Sequence, residues 1–327
     1  MSASTIIAVD LGGTRVRSAR LNDDLEIQMR HEQLTLAHEG VDATVGRVME
    51  VIREVLPTDG TAVEGIGISI PGPTNPFTGM VELGTNLGWH NVPLARLVGE
   101  EFGLPVYLGN DANVAALAEV ASGAARGTRH AIFITVSTGI GGGIIVNGRM
   151  LLGTRGYAAE VGHMLLEIDG EVTTLEKQAA GPALARRAKA RIQAGAKSMI
   201  YEMVEGELEK ITGGTVGKAA KQGDRLAVEI VEHAGYVLGL GVASLLLVFN
   251  PEIVVFGGGV SFGVGELMFA PMRQTIEKHI IDDAYYKELR YSLAELGENV
   301  SIIGAGALVA TKGGVEDVTK AARKLNE

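Results

Sequence analysis

The sequence predicts an α/β fold, and two observations carry that expectation. Apolar runs of strand length end three times in glycine-rich turns. Residues 6–9 lead into Asp10-Leu11-Gly12-Gly13-Thr14, residues 131–136 into Ser137-Thr138-Gly139-Ile140-Gly141-Gly142-Gly143, and residues 253–256 into Gly257-Gly258-Gly259. Between these units lie stretches whose apolar residues recur at helical spacing. Strands alternating with helices define the α/β class. A chain of 327 residues is expected to form two domains, at ~100–200 residues each.

In chain order, the first unit reads as strand, tight Gly-Gly turn and a second, alternating strand over 15–21. Val41, Val45, Val48, Val51, Ile52 and Val55 place a helix over 41–56. Residues 66–70 read as a strand closed by the rigid turn Pro71-Gly72-Pro73. A short helix over 94–102, a short strand over 106–108 and an alanine-rich helix over 114–122 follow. Past the second glycine turn a strand leaves through Ile144-Ile145-Val146 toward Asn147-Gly148. Residues 182–194 predict a helix, and 196–224 a polar helical region broken at Gly213-Gly214. Residues 225–249 predict one long helix or a kinked pair. Its apolar stretch over 237–249 is 13 residues, short of the ~20 that span a bilayer. A buried helix closed by Asn250-Pro251 is the expectation. A helix over 267–279, a final strand over 300–303, a Gly/Ala-rich helix over 304–311 and a charged tail over 316–327 complete the reading.

Composition narrows the function. With 29 basic against 39 acidic residues the formal charge is −10, which disfavours non-specific binding to nucleic acid or anionic membrane. There is no cysteine, so disulfides and thiolate metal sites are excluded. A reducing, cytoplasmic setting fits. The first apolar run lacks a basic flank and is cut by Asp10, unlike a signal peptide.

The glycine turns point to nucleotide chemistry. An acid at a strand end, here Asp10, is placed to hold a hydrated Mg²⁺. Paired glycines let backbone N–H groups approach phosphate oxygens without side-chain obstruction. The plainer reading is an ordinary hairpin whose Asp and Gly serve the turn. Two such hairpins in one chain favour a duplicated core gripping one polyphosphate from opposite sides. Neither the P-loop nor the strict dinucleotide fingerprint is present. Four polar features lie between and after the hairpins. Asn110-Asp111-Ala112-Asn113 follows a strand and opens a helix, where a carboxylate is favoured or simply caps. Glu160-Val161-Gly162-His163 sets a carboxylate and an imidazole three residues apart. Glu176 starts a helix, and Asn86-Leu87-Gly88-Trp89 holds the only tryptophan, more commonly a core aromatic.

The ordered set DLGGT, IPGP, NLGW, NDAN, TVSTGIGGG, EVGH and FGGG resembles the ROK family of sugar kinases, especially its bacterial glucokinase-like members. The resemblance covers nearly the whole chain. It implies the actin/hexokinase type (ribonuclease H-like) of ATPase fold, with two α/β domains around a cleft: 1–112 with 303–327, and 113–302. It implies that the chain end returns to the first domain. By that resemblance Asp111 is the general base that takes the proton of the sugar 6-hydroxyl. Asn110, Glu160, His163 and Glu176 bind sugar hydroxyls, with Gly72 and Asn86 also facing the sugar. Asp10 orients Mg²⁺ through water. Gly12, Gly13, Thr14, Thr138 and Gly139 cradle the phosphates of ATP, and Gly257 and Gly258 lie against adenosine. A homodimer or dimer of dimers is the family expectation.

Two departures from the family pattern matter. Many members carry lysine where this chain has Arg15. Typical members also bind a structural zinc in a cysteine-rich loop between the EVGH-type histidine and the next glutamate. Here that interval, 163 to 176, has no cysteine and is shortened to Glu167-Ile168-Asp169-Gly170-Glu171. No zinc site is expected, and sugar specificity drawn from zinc-bearing relatives is weakened. The reading is an ATP- and Mg²⁺-dependent hexose kinase, glucose first. Its rivals are a kinase for mannose, fructose or an N-acetylhexosamine such as N-acetylmannosamine, polyphosphate in place of ATP as donor, a sugar-sensing repressor of the same family, and an actin-like filament protein. The first phosphate hairpin begins at Ile6, leaving no room before it for the helix-turn-helix of such repressors. A filament protein would not need Asn110, Asp111, Glu160 and His163 together.

Overall fold

The computed structural model describes residues 4–319. In chain order the strands and helices are β1 (Thr5–Leu11), β2 (Arg15–Leu21), β3 (Ile27–Leu34), α1 (Val41–Val55), β4 (Val63–Ile70), β5 (Thr74–Asn75), β6 (Met80–Gly84), β7 (Trp89–Val92), α2 (Leu94–Phe102), β8 (Val106–Asn110) and α3 (Asp111–Ser122). Then come β9 (Ala131–Val136), β10 (Ile140–Val146), β11 (Arg149–Met150), β12 (Leu165–Ile168), β13 (Glu171–Thr174), α4 (Leu175–Ala179), α5 (Gly181–Gln193), α6 (Met199–Met203), α7 (Gly213–Lys221) and α8 (Arg225–Phe249). The last are β14 (Ile253–Gly257), α9 (Gly259–Val264), α10 (Glu266–His279), β15 (Arg290–Leu293) and α11 (Val300–Ala310).

Contacts divide the chain into two compact units. The first holds the described residues up to Ile132, then Gly143–Ala159, and those from Ala294 onward; the second holds Phe133–Gly142 and Glu160–Leu293. Two five-stranded sheets share one strand plan. Their orders are β3-β2-β1-β4-β8 and β11-β10-β9-β14-β15. In each, the strand entering a glycine turn is central and the strand leaving it lies beside it. This repeated order is the form the two hairpin signals take.

In the first unit β1 pairs antiparallel with β2 and parallel with β4, and β4 pairs parallel with β8. Helix α1 lays Val48, Val51, Ile52 and Val55, all fully buried, onto this sheet's core. Full burial of each such side chain contributes ~1.5–3 kcal/mol. Trp89 is also fully buried in this core, so the plainer reading of that residue holds. Helix α11 packs on α3 and on β1 and β4 of the N-terminal sheet. Its approach requires glycine: a Cβ at Gly67 would fall 1.8 Å from the Ala305 carbonyl oxygen.

The second unit is built around α8, an unbroken 25-residue helix packed against α10, α7 and α4. It ends at Asn250 in the left-handed region (φ 41). Among the described residues α8 is the one helix long and apolar enough to cross a membrane, but two-thirds of its apolar window is buried within the protein.

Three expectations need correction. Residues 300–303 are not a strand; α11 is one helix from Val300 to Ala310. A run such as Val-Ser-Ile-Ile, buried on most sides, has neither helical nor strand period and looks alike in both. The strand of that region is β15, earlier and half-exposed, paired parallel with β14. Gly213-Gly214 does not break a helix but begins α7, capped by Thr212 and Thr215 side chains in a reciprocal box. The α-helical part of 196–224 is confined to α6 and α7. The tail beyond residue 319 lies outside the described residues.

Candidate functional site

The parallel strands β1, β4 and β8 end together, and ligands in open α/β sheets sit at such carboxyl ends. Asp10 aligns with Ser69, and Ser69 with Gly109. Adjacent strands lie ~4.8 Å apart, so the backbones at Asp10 and Asn110 stand about 10 Å apart.

Each predicted residue of this unit has a definite place. Asp10 is half-buried and its Oδ2 accepts from Arg17 Nε (3.0 Å) and Nη2 (2.5 Å). Among the described residues Oδ1 has no partner. A carboxylate with one oxygen held and one open suits a cation that keeps its water shell, which is how Mg²⁺ binds. The Gly12-Gly13 turn is closed by Gly12 N–H to the Arg15 carbonyl (2.9 Å), and Thr35 Oγ1 donates to the Gly12 carbonyl (2.7 Å). The Thr35 amide binds the Thr14 carbonyl (2.9 Å), leaving the Thr14 side chain exposed. Gly13 lies against Asn86: an added Cβ would meet that side chain at 2.9 Å. Gly72 adopts φ +103, and a Cβ there would fall 2.3 Å from the Leu83 carbonyl oxygen. Its own carbonyl accepts from Asn110 Nδ2 (3.3 Å). Asn110 Oδ1 caps α3 by accepting from the Ala112 amide (3.0 Å), shared with Asp111 Oδ1 (2.8 Å). Gly72, Asn110 and Asp111 thus form one corner. Segment 83–86 joins it to the Gly12-Gly13 turn, because Leu83 touches Gly72 and Asn86 touches Gly13.

In the second unit Gly139 and Glu176 meet at Ile140, the first residue of β10. Glu176 Oε2 accepts from the Ile140 amide at 2.9 Å. An added Cβ on Gly139 would fall 2.6 Å from that same oxygen. Gly162 presses on the opposite side of Ile140, where a Cβ would meet the Ile140 carbonyl at 2.0 Å. This pins the 3₁₀ turn Val161–His163. Glu160 and His163 flank that turn, both exposed, with the His163 amide on the Glu160 carbonyl (3.1 Å). Thr138, at the tip of the β9–β10 hairpin, is exposed. Gly258, at φ +88, packs under the Val136 carbonyl, and Gly257 against Phe133.

Beside this hairpin the second unit opens a cavity of about 1070 Å³, at the upper end of the ~300–1,000 Å³ usual for small-molecule sites. Ser137 and Thr138 form one wall, and Gly259 and Val260, just past the predicted Gly257-Gly258, another. The N-termini of α5 and α7 converge here, with Gly181 and Gly213 in contact. Helix N-termini offer free N–H groups and a positive dipole end to anions. Arg186, Lys189, Lys218 and Lys221 complete the lining, and Lys189 is paired to Glu209 at 3.0 Å. The sequence reasoning missed these four cations and Arg17. The signal was present as basic residues three apart on α5 and on α7, but nothing local separates them from a solvated helix face.

Interval 163–176 forms the β12–β13 hairpin, with pairs from Leu165↔Thr174 to Ile168↔Glu171. It has no cysteine, and no group of three potential metal-ligating side chains occurs among the described residues.

The chain is similar to known proteins over nearly its whole length. A glucokinase of Thermotoga maritima is 34% identical over 311 residues, covering 93% of this chain and 96% of its own. A putative xylose repressor of Caldicellulosiruptor sp. is 31% identical over 313 residues, covering 93% of this chain and 77% of its own length. A ROK family glucokinase of Streptomyces griseus, solved with glucose and AMPPNP, is 31% identical. It aligns with a TM-score of 0.73 over 93% of this chain and 98% of its own. The ROK family profile matches residues 6–312. On that match and these relatives, the chain belongs to the ROK family and has its actin-like ATPase fold.

Proposed function

We propose that this ROK-family sugar kinase transfers the γ-phosphoryl group of ATP to the 6-hydroxyl of a hexose, with glucose the first substrate. The observation that carries the reading is the corner made by Gly72, Asn110 and Asp111 at the end of the parallel strands. It offers one exposed carboxylate beside a fixed amide and a carbonyl. Asp111 takes the proton of the attacking hydroxyl. The sugar oxygen bonds to the γ-phosphorus as the bond to the β-phosphate oxygen breaks, and ADP leaves. Positioning and charge neutralisation dominate such transfers, so an ordinary carboxylate suffices.

Asn110, Glu160, His163 and Glu176 bind sugar hydroxyls, with Gly72 and Asn86 at the rim. A hydroxyl missing from a closed site leaves a polar partner unpaired, which gives discrimination. Gly12, Gly13, Thr14, Thr138 and Gly139 bind phosphates through backbone N–H and hydroxyl groups. Adenosine occupies the cavity walled by Gly259 and Val260, with Gly257 and Gly258 supporting that wall. Asp10 would hold Mg²⁺ through water, and the ion would neutralise phosphate charge. We further propose that the enzyme works in the cytoplasm as a homodimer.

A coupled assay with glucose, mannose, fructose and N-acetylmannosamine, each against ATP and inorganic polyphosphate, tests the reading. Turnover of glucose with ATP and Mg²⁺ at the highest kcat/KM is expected. Preference for another sugar or for polyphosphate would replace that part of the reading. Sugar binding without turnover of any pair would favour a repressor role like that named for the Caldicellulosiruptor relative.

A further inference from the structure

We infer that Arg187 is a positioning residue for sugar recognition: it fixes the short helix α4 and, through it, the carboxylate of Glu176. The inference rests on Glu176 being a sugar ligand.

Helix α4 is five residues long, far below the ~12–15 at which a helix holds itself in water. Its position is therefore set from outside. On its apolar side Leu175, fully buried, fits against α8 where Gly241 leaves room. A Cβ at Gly241 would stand 2.9 Å from Leu175 Cδ2. At its start Thr174 Oγ1 accepts from the Lys177 amide at 3.3 Å. These contacts hold one end and one face; the Leu175 amide also bonds the Met164 carbonyl (3.1 Å), and Arg186 on α5 donates to the Lys177 carbonyl.

A polar relay adds a directional tie on the Gln178 side. Arg187 Nη2 on α5 donates to Gln178 Oε1 at 2.6 Å. Gln178 Nε2 donates to Thr173 Oγ1 on β13 at 3.2 Å. Gln178 follows Glu176 by two positions, so at ~100° per residue the two side chains leave the helix on nearly opposite faces. Glu176 is drawn toward the Ile140 amide, and Gln178 toward Arg187. The helix is thus tied on both sides, and the direction of the Glu176 carboxylate is set between them. Arg187 is itself half-buried, and charges on Asp169 at the hairpin tip and on Arg186 act on it. A planar guanidinium keeps its geometry in such a place, whereas an ammonium is a rotating point charge.

The test is steady-state kinetics and thermal melting on Arg187→Met, Arg187→Lys, Gln178→Leu and Glu176→Gln. Arg187→Met and Gln178→Leu should each raise the glucose KM about tenfold, the loss expected when one hydrogen bond no longer orients a ligand. The ATP KM should stay within about twofold, because neither Arg187 nor Gln178 is among the residues that line the cavity. Arg187→Lys should recover part of the loss. Combining Arg187→Met with Glu176→Gln should add little to Glu176→Gln alone, since both act on one group. Should Arg187→Met fail to fold, Gln178→Leu reports the same effect. Glucose and ATP constants moving together, neither moving, or fully additive losses would overturn the inference. A Glu176→Gln enzyme with an unchanged glucose KM would instead overturn the assignment of Glu176 to the sugar.

Discussion

Asp111 and Gly72 show how single residues carry opposite kinds of demand. Asp111 sits where β8 ends and α3 begins, and its Oδ1 shares the Ala112 amide with Asn110. Asparagine at 111 keeps an oxygen for that amide, so the helix start should survive while the base is lost. Asp111→Asn is expected to lower kcat by ~10²–10⁴ and leave the sugar KM within a few-fold. Steady-state kinetics check it, and near-normal kcat would move the base elsewhere. Gly72 contributes no chemistry of its own, only a backbone at φ +103 and a carbonyl for Asn110. A methyl there would strike the Leu83 carbonyl at 2.3 Å, and the conformation itself costs an L-residue ~1 kcal/mol or more. Gly72→Ala should lower the melting temperature and raise the glucose KM together, read by calorimetry and kinetics on one preparation. An unchanged KM would detach this corner from the sugar.

At the scale of elements, α8 carries a pH response. His233 on α8 is half-buried and lies near the Arg187 guanidinium. Burial first, and the Arg187 charge second, push its pKa below the usual 6.5; Asp169 opposes this. The folded form therefore binds a proton less readily than the unfolded chain. Stability from this group is full above pH 6.5 and is lost as pH falls through the lower folded value. The wild-type melting temperature should decline over that acid interval, and His233→Gln should flatten the decline. Equal slopes in the two proteins would show that His233 does not titrate on unfolding. What the sequence disclosed among elements follows from burial pattern. Strands β1, β4, β9 and β14 announce themselves because apolar runs lead into turns that contain Gly or Pro. Strand β3 does not: Ile27–Leu34 reads IQMRHEQL and is largely solvent-facing at the sheet edge, so no apolar period marks it. Helix α11 misleads for the opposite reason, being buried nearly all round. The site was legible where glycines and carboxylates cluster in sequence. Arg17 and Arg187 were not, because each acts through a partner that only strand register or helix packing supplies.

Two predictions belong to the whole molecule. The first is independence from zinc. The β12–β13 hairpin closes interval 163–176 by backbone pairing, and the chain offers no thiolate, whereas structural zinc sites draw four ligands mainly from Cys and His. Elemental analysis should find no stoichiometric zinc, and a strong zinc chelator should leave the melting temperature unchanged while removal of Mg²⁺ abolishes activity. One zinc per chain, lost together with stability, would refute this. The second is self-association through α8. Most of that helix is consumed inside its own unit, yet Tyr236, Leu247 and Val248 remain 41%, 42% and 71% exposed. With half-buried Leu240 and exposed Ser244 between them, they recur at spacings of three and four and so share one face. That stripe is ~18 Å long at 1.5 Å per residue. Such a face, self-complementary about a two-fold axis, matches the commonest form of oligomer. At micromolar concentration the wild-type protein should sediment as a dimer or a larger even assembly. The pair Leu247→Glu and Val248→Lys should shift it toward monomer with the melting temperature of the buried core little changed, because neither side chain belongs to that core. A wild-type monomer throughout the concentration range, or a double variant that still sediments with the wild type, would remove α8 as the dimer face.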